Sequence, residues 1–73
     1  MEQQKKYQLL AEIFDEPVES LTADTEIDSL IFDSVARMAL MAMLSEKFEK
    51  RIGTAQLKGF KKLQDILNLM QEQ

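Results

Sequence analysis

The chain has no cysteine, no histidine and no tryptophan. Without cysteine it can form neither disulfide bonds nor thiolate metal sites, and a reducing compartment is allowed. Without histidine it lacks the commonest general base and the commonest metal ligand, and a Ser-His-Asp triad cannot be assembled. We therefore expect no catalytic residues and no metal site, and we expect that the protein is not an enzyme.

Long hydrophobic runs and an excess of basic residues are also missing. The longest apolar run, residues 38–44, is too short to cross a bilayer, and residues 1–10 lack the apolar core of a secretory signal. The chain carries 13 acidic and 9 basic side chains, whereas binding to nucleic acid requires clustered Lys and Arg. We expect a monomeric cytoplasmic protein that binds neither membranes nor nucleic acid.

Glycine and proline are scarce, with two and one in 73 residues, and most other residues are good helix formers. Residues 1–73 are therefore expected to form a single domain of the all-α class, a small antiparallel bundle. We predict three main helices over residues 2–14, 34–50 and 61–70, and a short helix over residues 54–57. Pro17 is expected to end the first helix, and Gly53, in a left-handed conformation, the second.

The connection over residues 15–33 contains too many apolar residues for a disordered linker. We expect it to lie across the helices, with a helical turn near residues 18–21. Its apolar side chains are those of Val18, Leu21, Ile27, Leu30 and Phe32.

The second predicted helix is apolar on nearly all sides. One side carries Leu40, Met41, Leu44, Phe48 and Ile52. The other carries Val35, Ala39, Ala42, Met43, Glu46 and Lys50. This second side either packs beneath the long connection or forms an exposed surface that docks a partner. We interpret Met38 and Met41 as core filler.

Asp33 and Ser34 stand where this helix begins. Both residue types are favoured N-caps, because their oxygens accept the unpaired N–H groups of the first turn. Most Asp-Ser pairs ahead of an apolar run only cap a helix. A second interpretation is that the serine carries an attached group.

Several stretches of the chain resemble the acyl carrier protein family. In that family an Asp-Ser-Leu motif begins the second helix of a four-helix bundle, and here Asp33, Ser34 and Val35 match it. "VESLTADTEI" is similar to the family's loop before the motif, and "LSEKFEKRI" and "FKKLQDILNLM" are similar to its second and last helices. The resemblance covers nearly the whole chain.

A second Asp-Ser pair, Asp28-Ser29, precedes Leu30 and spells the family motif literally. We assign the motif to Ser34, because Ser34 opens the periodic helix and its spacing to Phe48 fits the family. Ser29 would place the motif in the loop, where no long helix is predicted.

The resemblance implies that Ser34 carries covalent 4′-phosphopantetheine derived from coenzyme A, and that Asp33 assists the transferase through its metal ion. The docking surface would comprise Val35, Arg37, Ala39, Ala42, Met43 and Glu46. The implied partners are a phosphopantetheinyl transferase and acyl-loading, condensing or acyl-transfer enzymes.

The chain also departs from the family pattern. Ile31 replaces the usual glycine before the motif, and Ala36, Ala39 and Ser45 occupy positions that are acidic in fatty-acid carriers. We therefore expect a carrier of acyl thioesters in a specialised lipid or polyketide-type pathway. Two alternatives remain open, namely an aminoacyl or peptidyl carrier of the same fold and an unmodified helical interaction module.

Overall fold

A computed structural model describes residues 1–71 of the chain. The described residues form four α-helices, which are α1 (Gln3–Phe14), α2 (Ser34–Phe48), α3 (Thr54–Lys58) and α4 (Leu63–Leu67). The prediction of an all-α bundle with a long connection between the first two helices is confirmed. Within these residues no helix has the length and apolar character needed to span a membrane.

The core is built from the apolar sides of α1, α2 and α4. In α1, Leu10 and Phe14 are buried, as their spacing of four residues predicts. The largest fully buried side chains are those of Leu10, Leu40, Leu44, Leu63, Ile66 and Met70. Burying one such side chain contributes about 1.5–3 kcal/mol to the free energy of unfolding.

The connection between α1 and α2 is held against the bundle, as predicted. It contains two 3₁₀ turns, Val18–Ser20 and Ile27–Ser29, and it buries Leu21 and Ile27 in the core. The N–H of Ile27 donates to the carbonyl oxygen of Lys61 at 2.8 Å, and the N–H of Leu63 donates to that of Thr25 at 2.9 Å. Backbone hydrogen bonds therefore join the connection to the segment that leads into α4.

The first helix ends at Phe14 as predicted, ahead of Pro17, whereas the residue that terminates α2 differs from the one expected. Asp15 follows α1 and Glu49 follows α2, and both have a left-handed backbone with φ of 55°. Gly53 has a φ of −98° and precedes α3, so the prediction that it ends the second helix is wrong. The N–H of Glu49 bonds back to the carbonyl oxygen of Leu44, which closes α2 before Gly53 is reached.

The last helix is shorter than the predicted 61–70. Lys62 has an extended backbone and pairs with Glu26 in an isolated β-bridge, so α4 begins only at Leu63. The N–H groups of Leu69 and Met70 donate to carbonyl oxygens three residues back, which makes the final turn tighter than an α-helix. The core contribution of Met70 is retained, since its side chain is fully buried.

The side of α2 that enters the core also differs from the sequence-based assignment. Met43 was expected on the exposed side, but it is only 6% exposed and packs in the core with Leu40 and Leu44. Met38 was interpreted as core filler, but it is 70% exposed. A helix that is apolar on nearly all sides does not reveal its buried side by periodicity alone, because packing against the other elements decides it.

Candidate functional site

The first turn of α2 is closed by Asp33. Its backbone is extended, and its Oδ1 atom accepts a hydrogen bond from the N–H of Ala36 at 2.9 Å. Its carbonyl oxygen accepts the N–H of Arg37, also at 2.9 Å. Asp33 is therefore the N-cap, and its negative charge lies at the positive end of the helix dipole.

Ser34 is the first residue of α2, and its side chain is exposed. Among residues 1–71 its hydroxyl group makes no hydrogen bond, and the backbone N–H groups of Ser34 and Val35 find no acceptor there. The helix start thus offers a free hydroxyl oxygen beside two free N–H donors. Such a donor set suits an anionic group attached to the serine, since the first N–H groups of a helix bind anions.

The other Asp-Ser pair has a different environment. Ser29 ends the 3₁₀ turn Ile27–Ser29, and its hydroxyl donates to the carbonyl oxygen of Glu26 at 2.7 Å. The backbone is extended at Leu30, so no long helix begins there. The hydroxyl proton of Ser29 is thus engaged within its own turn, whereas the hydroxyl of Ser34 makes no hydrogen bond among residues 1–71.

An exposed apolar face extends along α2 from the residues around Ser34. Its large side chains are Ile31, Val35 and Met38, which are 71%, 74% and 70% exposed. Ala39 and Ala42 are also exposed and continue the same side of the helix. We call these five residues, Ile31, Val35, Met38, Ala39 and Ala42, the α2 apolar face. Ile31 and Met38 were not among the predicted docking residues, although the spacing of Val35, Met38, Ala39 and Ala42 fits one helix face.

The other three residues expected in the docking surface, Met43, Glu46 and Arg37, are not part of the α2 apolar face. Met43 is buried and is not accessible to a partner. Glu46 is exposed near the end of α2. Arg37 is half-buried, and its Nε donates to the carbonyl oxygen of Phe32 at 3.2 Å. The guanidinium carbon of Arg37 lies 6.0 Å from the centre of the Phe32 ring, so Arg37 packs against the end of the connection.

Phe32 links the site to α1. Its ring centre lies 5.5 Å from that of Phe14, the last residue of α1, with the ring planes tilted by 48°. Tilted aromatic pairs at this separation are favourable. The contact fixes the residue that precedes Asp33 and Ser34 against the bundle.

Residues 1–71 contain no group of three or more His, Cys, Asp or Glu side chains placed to hold a metal ion.

Comparison with known families supports a carrier function for the chain. The family model described as a phosphopantetheine attachment site matches residues 7–70. That range includes α1, the connection, all of α2 and both Asp-Ser pairs. No curated protein and no solved structure matches the chain.

Proposed function

Because the chain belongs to the phosphopantetheine attachment-site family, whose members bind 4′-phosphopantetheine covalently, we propose that it is a non-catalytic acyl carrier with Ser34 as the attachment residue. The group supplies a terminal thiol that holds an acyl cargo as a thioester. This thiol would serve a chain that has no cysteine of its own.

The observation that carries the choice of serine is the difference between the two hydroxyl groups. That of Ser34 is exposed and without a hydrogen bond in the described residues, while that of Ser29 donates at 2.7 Å to the carbonyl oxygen of Glu26. Moving Ser29 Oγ toward a phosphorus atom would cost this hydrogen bond, about 0.5–1.5 kcal/mol, whereas moving Ser34 Oγ breaks none. Ser34 is therefore the more accessible nucleophile.

In the attachment reaction, Ser34 Oγ would form a bond to the phosphorus atom next to the pantetheine of coenzyme A. The pyrophosphate P–O bond breaks, adenosine 3′,5′-bisphosphate leaves, and the hydroxyl proton passes to a base of the transferase. The free N–H groups of Ser34 and Val35 would then face the new phosphodiester. An anion at a helix N-terminus is stabilised by about 0.3–1 kcal/mol.

The α2 apolar face, together with Arg37 and Glu46, would contact partner enzymes. An enzyme that acts at Ser34 must cover the surface around it, and that surface carries the exposed Ile31, Val35 and Met38. The proposed partners are a phosphopantetheinyl transferase and enzymes that load, condense or transfer acyl groups. Because residues 34–45 carry no acidic side chain, we propose a specialised lipid or polyketide-type pathway with its own partners.

Intact-mass measurement tests this proposal. The purified protein is incubated with coenzyme A and a broad-specificity phosphopantetheinyl transferase, and we expect a gain of one phosphopantetheine. Ser34→Ala should abolish the gain, and Ser29→Ala should preserve it. The reverse pattern would assign the attachment to Ser29. No gain in the wild-type protein with several transferases would instead favour an unmodified interaction module, for which the α2 apolar face would be the binding surface.

A further inference from the structure

Two surface grooves flank the start of α2, and they differ in charge. The first has a volume of about 320 Å³ and includes Asp15, Asp33 and Val35 in its lining. The second has a volume of about 330 Å³ and lies on the side of Arg37 and α3. We call the second the Arg37 groove, and its lining includes Leu30, Phe32, Arg37, Leu57, Lys58 and Phe60.

Charge favours the Arg37 groove for the anionic end of a cargo carried at Ser34. The first groove is lined by two carboxylates, Asp15 and Asp33, and by no cation. The Arg37 groove is lined by two cations, Arg37 and Lys58, against the single carboxylate of Asp28. A carboxylate at the end of the cargo is repelled by the first lining and attracted by the second. This local excess of positive charge occurs in a chain with a net charge of −4.

The walls of the Arg37 groove are apolar and incompletely covered by the protein itself. Leu30, Phe32 and Phe60 are each half-buried, and Leu57 is buried. Small-ligand sites are typically apolar clefts of this size with a few polar groups that fix the orientation of the ligand. The groove can therefore cover the aliphatic part of a cargo, while its cations contact a charged end.

Arg37 has hydrogen-bond donors left for such a contact. Its Nε is occupied by the carbonyl oxygen of Phe32, which leaves the Nη donors of the guanidinium for a ligand. Arg37, which lines the groove, lies three residues after Ser34, about 4.5 Å along the helix axis. Lys58 is exposed at the end of α3.

We propose that the Arg37 groove receives the cargo end of the arm and favours acyl groups that end in a carboxylate over methyl-ended groups of equal length. Arg37 and Lys58 are its specificity-determining residues. This inference rests on the proposed carrier function.

The test uses thioester protection on the loaded protein. The protein is loaded from hexanoyl-coenzyme A or adipyl-coenzyme A by a broad-specificity transferase, and loading is verified by intact mass. Release of each acyl group by hydroxylamine is then timed and divided by the rate for the same free coenzyme A thioester. We expect normalised release of the adipyl group to be about two- to fivefold slower than that of the hexanoyl group, the range given by exposed ion pairs.

Variants assign the effect to the groove. Arg37→Gln combined with Lys58→Gln should remove the difference between the two cargoes. Lys5→Gln combined with Lys47→Gln removes the same charge from exposed positions outside the groove and should keep the difference. Lys58→Gln alone leaves the Arg37–Phe32 hydrogen bond intact. It should reduce the difference in release rate between the two cargoes, and it provides a test even if the double variant does not fold.

Equal normalised rates in the wild-type protein, or a difference that survives in the groove double variant, would overturn the inference. If the wild-type protein does not load at all, the proposed carrier function is overturned instead. The intact mass shows whether loading has occurred and so distinguishes this result from equal release rates.

Discussion

The carboxylate of Asp33 accepts a hydrogen bond from the backbone N–H of Ala36 at 2.9 Å, across the residue that carries the free hydroxyl. This bond holds the first turn of α2 in place around Ser34. It also means that one oxygen of Asp33 is already engaged with the protein, while the side chain as a whole remains exposed. Asp33 can therefore cap the helix and still present a carboxylate to an enzyme that acts on Ser34.

Substitutions at Asp33 separate these two roles. Asp33→Ala removes the cap and should lower the free energy of unfolding by about 1 kcal/mol, whereas Asp33→Asn keeps an acceptor and should cost less. If the carboxylate assists the transferase, Asp33→Asn should nevertheless slow attachment of phosphopantetheine. Urea unfolding and initial rates of mass gain measure the two effects. Wild-type rates in Asp33→Asn would limit Asp33 to its capping role.

The start of α2 could be predicted from the sequence because it is a local feature. Asp33 and Ser34 precede a long apolar segment, and the structure begins the helix at Ser34. The rotation of α2 about its axis could not be predicted in the same way. Met38 and Met43 are chemically identical, and only packing against the rest of the bundle exposes the first and buries the second.

The ends of helices could not be predicted from the sequence where they depend on contacts with residues far away along the chain. The spacing of Leu63, Ile66, Leu67 and Met70 correctly predicted the buried side of the last helix. The late start of that helix depends on the pairing of Lys62 with Glu26, which lies far away in the sequence. The Arg37 groove could not be predicted for the same reason, because Lys58 lines it only as a result of where α3 packs.

If partner enzymes dock on the α2 apolar face, a charge introduced on that face should weaken docking. Ala39→Glu should slow attachment and acyl transfer by a cognate enzyme, because an interface that covers Ala39 would have to desolvate the new carboxylate. Helicity should not change, because Ala39 is exposed. The matched control is Ala55→Glu, an identical substitution at an exposed position of α3. Equal rates for the two variants would remove Ala39 from the docking surface.

The left-handed residue after α2 predicts a stabilising substitution. Glu49 has φ of 55°, a conformation that strains a residue with a Cβ atom and that glycine adopts freely. Glu49→Gly should raise the free energy of unfolding by up to about 1 kcal/mol, or roughly 4–8 °C in Tm for a domain of this size.

Glu46→Gly is the control for Glu49→Gly, because it makes the same substitution at an exposed position inside α2. There the same change should destabilise the protein by about 1 kcal/mol, because glycine is a poor helix former. Thermal unfolding followed by circular dichroism measures both. A lower Tm for Glu49→Gly would show that the left-handed terminator is not strained.

The carboxyl group of Asp65 predicts how the stability of the protein depends on pH. Its Oδ2 accepts the backbone N–H of Lys61 at 2.8 Å and that of Lys62 at 3.1 Å, and these hydrogen bonds lower the pKa of its carboxyl group from 3.8. A lowered pKa in the folded state stabilises the protein above the unfolded value, and this contribution is lost as the pH falls through the folded value. Asp65→Asn should therefore lower the urea midpoint at neutral pH, and the gap to the wild type should narrow in acid.

Asp24→Asn is the control for this pH experiment. It removes an exposed carboxylate whose side chain accepts no hydrogen bond within residues 1–71. It should change the urea midpoint at neutral pH less than Asp65→Asn does. A gap for Asp65→Asn that stays constant across the pH range would contradict the proposed role of the Asp65 carboxylate.

Peptide mapping of the modified protein tests the central claim most directly. A protease that cleaves before aspartate releases residues 28–32, which contain Ser29, and residues 33–64, which contain Ser34. After incubation with coenzyme A and the transferase, we predict that residues 33–64 carry one phosphopantetheine, that fragmentation locates it on Ser34, and that residues 28–32 keep their unmodified mass. Phosphopantetheine on residues 28–32, or on a residue of 33–64 other than Ser34, would contradict the account.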